Sequence, residues 1–201
     1  MYSYDEAALV QALSLLTSIR QVCFAAASAT RQLSMFERLG GRLAWQHKAG
    51  AREVTAALWK AIQSPATGNE DWQRQLDLVM SWIPDEDDPE FSIEHVFADH
   101  AVATVAYAIR CLISGDPQDA GWAARRAYEA ADQAAIRAAG VEFGVTPDAE
   151  RIVLSHPIVQ RELGRQKEDL AALIDKGEFG ALQRSAFSQE LLTVDEANEI
   201  A

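Results

Sequence analysis

Apolar residues recur at helical spacing along most of the chain, and no segment shows the apolar–polar alternation of a half-buried β-strand. One uncharged stretch runs from Ala101 to Ile109, and Phe97, Leu112 and Ile113 extend its apolar character. Because nearly every face of this stretch is apolar, we expect a helix that is buried on most sides. Charged residues flank it, so the neutral stretch is far shorter than the roughly 20 residues of a membrane span.

Residues 92–140 are predicted to form two antiparallel helices joined by a tight turn, which we call the central hairpin. The turn sequence Ser114-Gly115-Asp116-Pro117 supplies a glycine stop, an aspartate N-cap and a proline at the first helical position. Six alanines then recur at spacings of three and four, namely Ala120, Ala124, Ala127, Ala131, Ala134 and Ala138. Such a stripe of small side chains lets a neighbouring helix approach closely, so tight packing of the hairpin is expected.

Further helices are predicted on both sides of the hairpin. The first spans Asp5 to Leu39 and should break near residues 17–21 or 30–34, because it is long for a globular protein. The others cover residues 42–63, about 70–83 with Asn69 as N-cap, and 157–175 after a short helical turn opened by Pro147. One or two short helices should follow in residues 179–200. We therefore predict an all-α multi-helix bundle, a single domain over residues 1–201 whose tail after about residue 177 is loosely packed.

Charge is distributed unevenly along the chain. The net charge is −12, and residues 65–100 hold one Lys or Arg against ten Asp and Glu, whereas residues 1–64 hold seven against four. A surface of this kind repels a phosphate backbone, so nucleic-acid binding is disfavoured. The N-terminus lacks the basic segment and cleavage site of a signal peptide, and a cytoplasmic location with no membrane association is expected. Cys23 and Cys111 lie within apolar helical pattern and are predicted to be buried free thiols.

The densest run of charge precedes the central hairpin. It consists of Asp85, Glu86, Asp87, Asp88 and Glu90. This segment lacks the central glycine and the terminal glutamate of a calcium-binding loop. Two interpretations stay open: a solvated turn, or a surface that binds a basic partner.

A second set of polar residues starts the first helix of the hairpin and suggests metal chemistry. His95 and Asp99 are four residues apart and share a helix face, and His100 follows. Glu129 or Asp132 on the partner helix would have to supply the further ligands of a divalent metal. The alternative is that these residues form the hydrated first turns of a helix that is buried later on. Because no established metal-ligand spacing accompanies them, neither a metal nor another cofactor is assigned.

Tryptophan is frequent, with five residues in the chain: Trp45, Trp59, Trp72, Trp82 and Trp122. Most are expected to pack in the core or at its rim. Two that are exposed side by side would mark an interface hot spot.

Several motifs in their order along the chain resemble the YjaG-like family, a bacterial group known as domain of unknown function 416. They are Met35-Phe36, Ile83-Pro84 before an acidic loop, Ser114-Gly115 after an apolar helix, and the spacing of Pro157, Val159, Glu162, Gln166 and Glu168. The sequence differs from the family pattern by His156 in place of an asparagine cap. The resemblance implies a helical fold. It implies no activity or catalytic residues, because none is established for the family.

The hypothesis we favour from the sequence is a non-catalytic protein-binding module. It would be an adaptor, or an acidic, immunity-like inhibitor of a basic partner protein, and its binding residues would be the acidic run that begins at Asp85. The alternative is a divalent-metal-dependent hydrolase of small phosphorylated compounds, which would use His95, Asp99, Glu129 and Asp132. A homodimer formed through apolar residues of the C-terminal tail is a third alternative.

Overall fold

The computed structural model describes residues 1–64, 71–85, 87–175 and 177–200, and these residues form α-helices and no β-strand. The ten helices are α1 (Glu6–Ser14), α2 (Ser18–Leu39), α3 (Gly41–Gln63), α4 (Trp72–Met80), α5 (Ile93–Ser114), α6 (Pro117–Ala138), α7 (Ala149–Ser155), α8 (Pro157–Ile174), α9 (Phe179–Ser188) and α10 (Val194–Ile200). The predicted all-α class is confirmed. The predicted cap Asn69 lies outside the described residues.

The central hairpin consists of α5 and α6, and these helices have the caps that the sequence predicts at the turn between them. Ser92 and His95 form a capping box at the start of α5, and Gly115 ends the helix in the left-handed region at a φ of 67°. The Asp116 carboxylate then accepts a hydrogen bond of 2.9 Å from the backbone N–H of Gln118. Pro117 occupies the first turn of α6, where the missing N–H has no partner to lose.

Helices α2 and α5 lie at the centre of the bundle and make its most extensive helix–helix contact. Every residue of α2 from Gln21 to Leu33 is buried, because α3, α5, α6, α8 and α9 surround it. By length and composition α5 is apolar enough to cross a membrane, with a mean hydropathy of 1.5, yet 67% of its apolar segment is buried inside the protein. The sequence analysis predicted that the hairpin is the centre of the bundle, and the structure shows that α2 is central as well.

Several predicted boundaries need correction. The long first helix breaks at residues 15–17, at the edge of the first predicted interval, and α2 then continues without a break through residues 30–34. Helix α4 starts at Trp72 because Asp71 caps it, its carboxylate accepting the N–H of Arg74 at 3.1 Å. Helix α7 begins after Asp148, at a φ of 56°, rather than at Pro147. Three residues expected on inner faces are exposed: Met80, Ala138 and Ile174.

The C-terminal segment packs along α2 and α8. Leu191 and Leu192 are fully buried. The guanidinium of Arg38 donates to the Leu192 carbonyl at 3.0 Å, and that of Arg161 donates to the Leu191 carbonyl at 3.0 Å. These bonds satisfy carbonyl groups that lie outside the helices.

Ala127 tests the close packing of α6, since its side chain is fully buried. We expect Ala127→Leu to lower the free energy of unfolding by about 1–3 kcal/mol, because extra methylene groups in a close-packed core force neighbouring side chains apart. Urea denaturation followed by circular dichroism measures this change. The exposed Ala138→Leu on the same helix is the matched control, and it should change stability by less than about 0.5 kcal/mol. Equal effects of the two substitutions would contradict the packing of α6.

Candidate functional site

The structure brings together only part of the polar cluster that the sequence proposes as a metal site. Asp99 and His100 on α5 face Arg126 and Glu129 on α6. The Arg126 guanidinium lies 3.3 Å from the Asp99 carboxylate and 3.3 Å from the Glu129 carboxylate, and His100 Nδ1 lies 3.8 Å from Glu129 Oε2. An arginine thus occupies the space between the carboxylates, where a divalent metal would have to lie.

His95 and Asp132, the other two residues of the hypothesis, have different partners. His95 Nδ1 accepts the backbone N–H of Ser92 at 3.0 Å, and its ring stacks on Phe91 at a centroid distance of 5.4 Å. Asp132 is hydrogen-bonded to the Tyr128 hydroxyl. In the part of the chain that the structure describes, no group of three or more His, Cys, Asp or Glu side chains could hold a metal ion. The convergence on which the metal hypothesis depends is therefore absent from these residues.

His100 is buried against α6, where it is kept neutral. Its pKa is lowered to about 4, chiefly by burial and also by the positive charge of Arg126, while Glu129 opposes both effects. Within the described structure, His100 Nδ1 has no hydrogen-bond partner. The imidazole therefore acts as a packing group at neutral pH and does not carry a charge into the Asp99–Arg126–Glu129 network.

A cleft of about 280 Å³ lies next to this network and is lined by Tyr107, Trp122, Arg125, Arg126 and Glu129. Arginines beside aromatic rings are typical of a site for an anionic ring compound. Here, however, each arginine is already neutralised. Arg125 pairs with Glu129 at 2.8 Å, and Arg110, which lies 5.3 Å above the Trp122 ring, pairs with Asp119 at 3.1 Å. An anion would have to displace these carboxylates, so the cleft is best interpreted as a surface ion-pair network.

Short-range hydrogen bonds join the described residues of the acidic segment before α5. The Asp85 carboxylate accepts the N–H of Asp87 at 3.0 Å, and the Asp88 carboxylate accepts the N–H of Glu90 at 2.8 Å. All four of these side chains are exposed, whereas Glu86 lies outside the described residues. Backbone bonds from Asp88 to Asp85 and from Phe91 to Asp88 close the same loop. The sequence alone offers a solvated turn or a binding surface, and the structure adds local hydrogen bonds among the described residues of the loop.

Apolar side chains accompany the acidic loop. Leu78 and Met80 on α4 are 47% and 48% exposed, and they flank the buried Val79 on different sides of the helix, with Asp77 preceding them. We use the term acidic surface for Asp77, Leu78, Met80, Asp85, Asp87, Asp88 and Glu90. It combines negative charge with two apolar side chains that could be buried on contact.

The acidic surface holds a dense group of unpaired carboxylates, five of them between Asp77 and Glu90. Elsewhere, many carboxylates are neutralised, as Glu37 is by Arg52, Glu190 by Arg38 and Glu196 by Arg161. No carboxylate of the acidic surface forms a salt bridge with another described residue. Its negative potential is therefore uncompensated, apart from screening by salt.

The most buried charges belong to a cluster that the sequence analysis missed. The Arg31 guanidinium on α2 is fully buried and bonds to the Asp169 carboxylate on α8 at 2.5 Å. Its Nε lies 3.8 Å from Glu162 Oε2, and both groups are inaccessible to solvent. Gln166 completes the cluster by donating to Glu162 at 2.9 Å and to the Ala124 carbonyl at 3.0 Å. The Arg31 cluster thus connects α2, α6 and α8.

In the Arg31 cluster, burial and ion pairing shift the pKa values of the two carboxyls in opposite directions. Burial raises the pKa of Glu162 and of Asp169, and the neighbouring Arg31 opposes the shift at both carboxyls. Among the described residues, Arg31 Nε and Nη1 and Glu162 Oε2 have no hydrogen-bond partner within normal distance. The only hint in the sequence is that Glu162 and Gln166 belong to the spacing shared with the YjaG-like family.

Of the five tryptophans, only Trp45 is strongly exposed, at 77%. Trp59 and Trp82 are buried, and Trp72 and Trp122 are half-buried. Trp59 is held by its indole N–H, which donates to the Thr30 hydroxyl at 2.8 Å. The expected hot spot of two adjacent exposed tryptophans is therefore not present.

Comparisons with known proteins yield one informative similarity. No protein-family model matches the sequence, and no curated protein matches it. Among solved structures, the crystal structure of a DUF416 family protein from Shewanella baltica OS155 is similar, with a TM-score of 0.75 and 16% sequence identity. The alignment covers 89% of this chain and 93% of that chain. The resemblance predicted from the sequence is thus confirmed at the level of the fold.

Replacement of Arg31 tests whether the buried cluster depends on its positive charge. We expect Arg31→Met to lower the free energy of unfolding by about 3–5 kcal/mol, because Glu162 and Asp169 lose the charge that compensates their burial. Chemical denaturation measures the loss. Arg52→Met, which removes an exposed pair with Glu37, should cost about 0–1 kcal/mol.

The triple substitution Arg31→Met, Glu162→Gln and Asp169→Asn distinguishes charge from packing. Removing all three charges should restore part of the stability that Arg31→Met loses. If the triple variant were less stable than Arg31→Met, the two carboxyls would stabilise the fold independently of the arginine.

His100 predicts a pH dependence of stability. Its pKa is about 4 in the folded protein and about 6.5 when unfolded, so below pH 6.5 only the unfolded chain gains a proton readily. Stability should therefore fall as the pH decreases from about 6.5 towards 4, by an amount on the order of 3 kcal/mol. His100→Gln should remove this part of the pH dependence in denaturation curves, and the control His47→Gln should retain it. Identical slopes for wild type and His100→Gln would contradict the assignment.

Proposed function

We propose that this chain, which has the fold of a DUF416 family protein, is a non-catalytic protein-binding module whose acidic surface binds a basic partner protein. The single observation that carries the proposal is the density of unpaired negative charge on one short stretch. The carboxylates of Asp77, Asp85, Asp87, Asp88 and Glu90 lie within fourteen residues of the chain, and none of them forms an ion pair with another described residue. Unpaired like charges are retained on a folded surface at some cost in stability, and a cationic partner relieves their repulsion.

Hydrogen bonds among the described residues of the acidic loop favour binding over simple solvation. The carboxylates of Asp85 and Asp88 each accept the backbone N–H two residues ahead, which reduces the freedom that these residues lose when a partner binds. Asp87 and Glu90 contribute backbone N–H groups to these turns, which leaves their own carboxylates available to a partner. The expected consequences are fast association at low salt and strong dependence of affinity on ionic strength.

The apolar side chains of the acidic surface provide area that a partner can bury. Leu78 and Met80 are about half exposed on α4, close in sequence to the loop. Charged rims direct encounter, whereas burial of apolar area contributes most to the lifetime of a complex. The partner expected is therefore a protein that presents both basic and apolar side chains. An adaptor or an immunity-like inhibitor would use such a surface.

The alternative function, a metal-dependent hydrolase of small phosphorylated compounds, receives no support from the geometry. His95 is engaged in the cap of α5, and Arg126 lies between the carboxylates of Asp99 and Glu129. Two-metal hydrolysis requires several carboxylates that converge from separate helices. The described residues do not provide this arrangement.

Charge reversal at two loop positions tests the proposal. Asp87→Lys combined with Glu90→Lys leaves the carboxylates of the two loop turns in place. We expect the double variant to bind its basic partner at least about tenfold more weakly at low ionic strength, with most of the difference lost near 1 M salt. Quantitative affinity capture identifies the partner, and calorimetry with the purified partner then gives the Kd.

The matched control is Asp175→Lys combined with Glu178→Lys, which changes the net charge equally. These residues follow α8. The Leu173 carbonyl of α8 accepts a hydrogen bond from Arg20, and Ser18, two residues before Arg20, lies next to Gly115 at the C-terminal end of α5. Helix α5 has 22 residues and separates them from the acidic loop by about 30 Å. A partner that tolerates the loop variant but loses affinity for the control would refute the proposed surface.

A further inference from the structure

The outer side of α3 combines an exposed tryptophan with positive charge. Trp45 is 77% exposed, and the exposed Arg42 and Lys48 lie three residues before and after it. At 3.6 residues per turn, these side chains fall within about 120° of the helix circumference, and so do the exposed Ala49 and Arg52. We use the term basic face for Arg42, Trp45, Lys48, Ala49 and Arg52.

Two of the three positive charges on the basic face are unpaired. Arg52 pairs with Glu37, whereas Arg42 and Lys48 form no salt bridge with another residue that the structure describes. Helix α3 itself contains a single acidic residue, Glu53. The basic face therefore has a positive local potential, although the chain as a whole has a net charge of −12. Tryptophan and arginine are also the residues most enriched where binding energy is concentrated at protein interfaces.

The acidic segment of the same molecule begins on the other side of α3. The ring of Trp82, three residues before Asp85, stacks on His47 at a centroid distance of 5.1 Å and lies against Gly50. His47 and Gly50 are about 200° and 140° around the helix from Trp45. Trp45 therefore points away from the side on which the acidic segment begins, and it is left uncovered within one copy of the chain.

We propose that the basic face of one copy binds the acidic surface of a second copy. Arg42 and Lys48 would pair with carboxylates of the acidic loop, and the Trp45 ring would pack on the exposed thioether of Met80. The argument is complementarity in both charge and apolar area. One surface has unpaired cations beside an indole, and the other has unpaired carboxylates beside apolar side chains.

A second copy fits the basic face better than an extended polyanion does. A nucleic acid or an anionic bilayer would also meet the other negative charges of a chain whose net charge is −12. A second copy instead presents a compact negative surface of matching size. At physiological ionic strength the Debye length is about 8 Å, so repulsion between the distant charges of two copies is screened, whereas close pairs are not.

The inference rests on the proposed function, because it names a second copy as a basic and apolar partner of the acidic surface. The two can nevertheless fail separately. Arg42→Glu combined with Lys48→Glu leaves the acidic surface unchanged, so it should abolish self-association while a different basic partner still binds. Failure of self-association alone therefore overturns this inference and leaves the proposed function standing, which the Asp87→Lys and Glu90→Lys double variant tests.

Sedimentation velocity of the full chain at increasing concentration gives the first test. We expect self-association with a Kd of about 100 μM or lower at low ionic strength, and at least about tenfold weaker association near 1 M salt. A chain that stays monomeric up to about 1 mM at low salt would overturn the proposal. Self-association that is insensitive to salt would also contradict it.

Exchange of charge between the two surfaces locates the contact. The acid-reversed variant, Asp87→Lys with Glu90→Lys, and the base-reversed variant, Arg42→Glu with Lys48→Glu, should each be monomeric because their facing surfaces repel. An equimolar mixture should associate again, since each reversed surface then meets a surface of opposite charge. Recovery in the mixture also shows that both variants are folded. A mixture that stays monomeric, or association retained by both separate variants, would refute the contact.

The tryptophan is tested separately from charge. Trp45→Ala should weaken self-association by at least about tenfold, because the indole provides the apolar centre of the contact. Phe143→Ala, which removes an exposed aromatic side chain outside both surfaces, should leave the Kd unchanged. The control for the base-reversed variant is Arg151→Glu with Arg184→Glu, an equal charge change at exposed positions of α7 and α9. Equal losses in test and control variants would overturn the assignment to α3.

Discussion

The complete burial of the middle of α2 is the constraint on which the rest of the structure depends. Residues 21–33 are all buried, so every face of three turns of helix must be covered by other helices. Helices α3, α5, α6, α8 and α9 provide this cover. Close approach on so many sides requires small side chains, and four of the buried residues from Ala25 to Ala29 are alanine. The alanines of α6 serve the same purpose where that helix meets its neighbours.

Enclosure of α2 also explains the Arg31 cluster. Once all faces of the helix are covered, a charged residue in its middle cannot reach water and must find partners on a neighbouring helix. Glu162, Gln166 and Asp169 of α8 present such partners at successive turns. A buried ionic cluster contributes little net stability compared with apolar packing, but it penalises any other alignment of α8 on α2.

Charge outside the core follows two different regimes. At several places on the surface, arginines and carboxylates form ion pairs, as Arg110 and Asp119 do between α5 and α6. Around the acidic loop, carboxylates stand without such partners and two apolar side chains are exposed beside them. Paired surfaces have little left to offer a binding partner, whereas the acidic surface retains both its charge and its apolar area. The proposed binding function is therefore assigned to the place where unpaired charge is densest.

The sequence by itself determined the helical class, most helix ends and the central hairpin, because these follow from local chemistry. Gly115, Asp116 and Pro117 act within one turn of chain, and so do His156 and Pro157 at the start of α8. Only the tertiary structure decided that Arg31 is buried, since Thr30, Arg31 and Gln32 in succession are typical of a solvated face. It likewise separated His95 from Asp99, because a capping bond to Ser92 holds the histidine. Local spacing fixes which residues share a turn, whereas burial and pairing depend on helices that are distant in sequence and meet only in the folded chain.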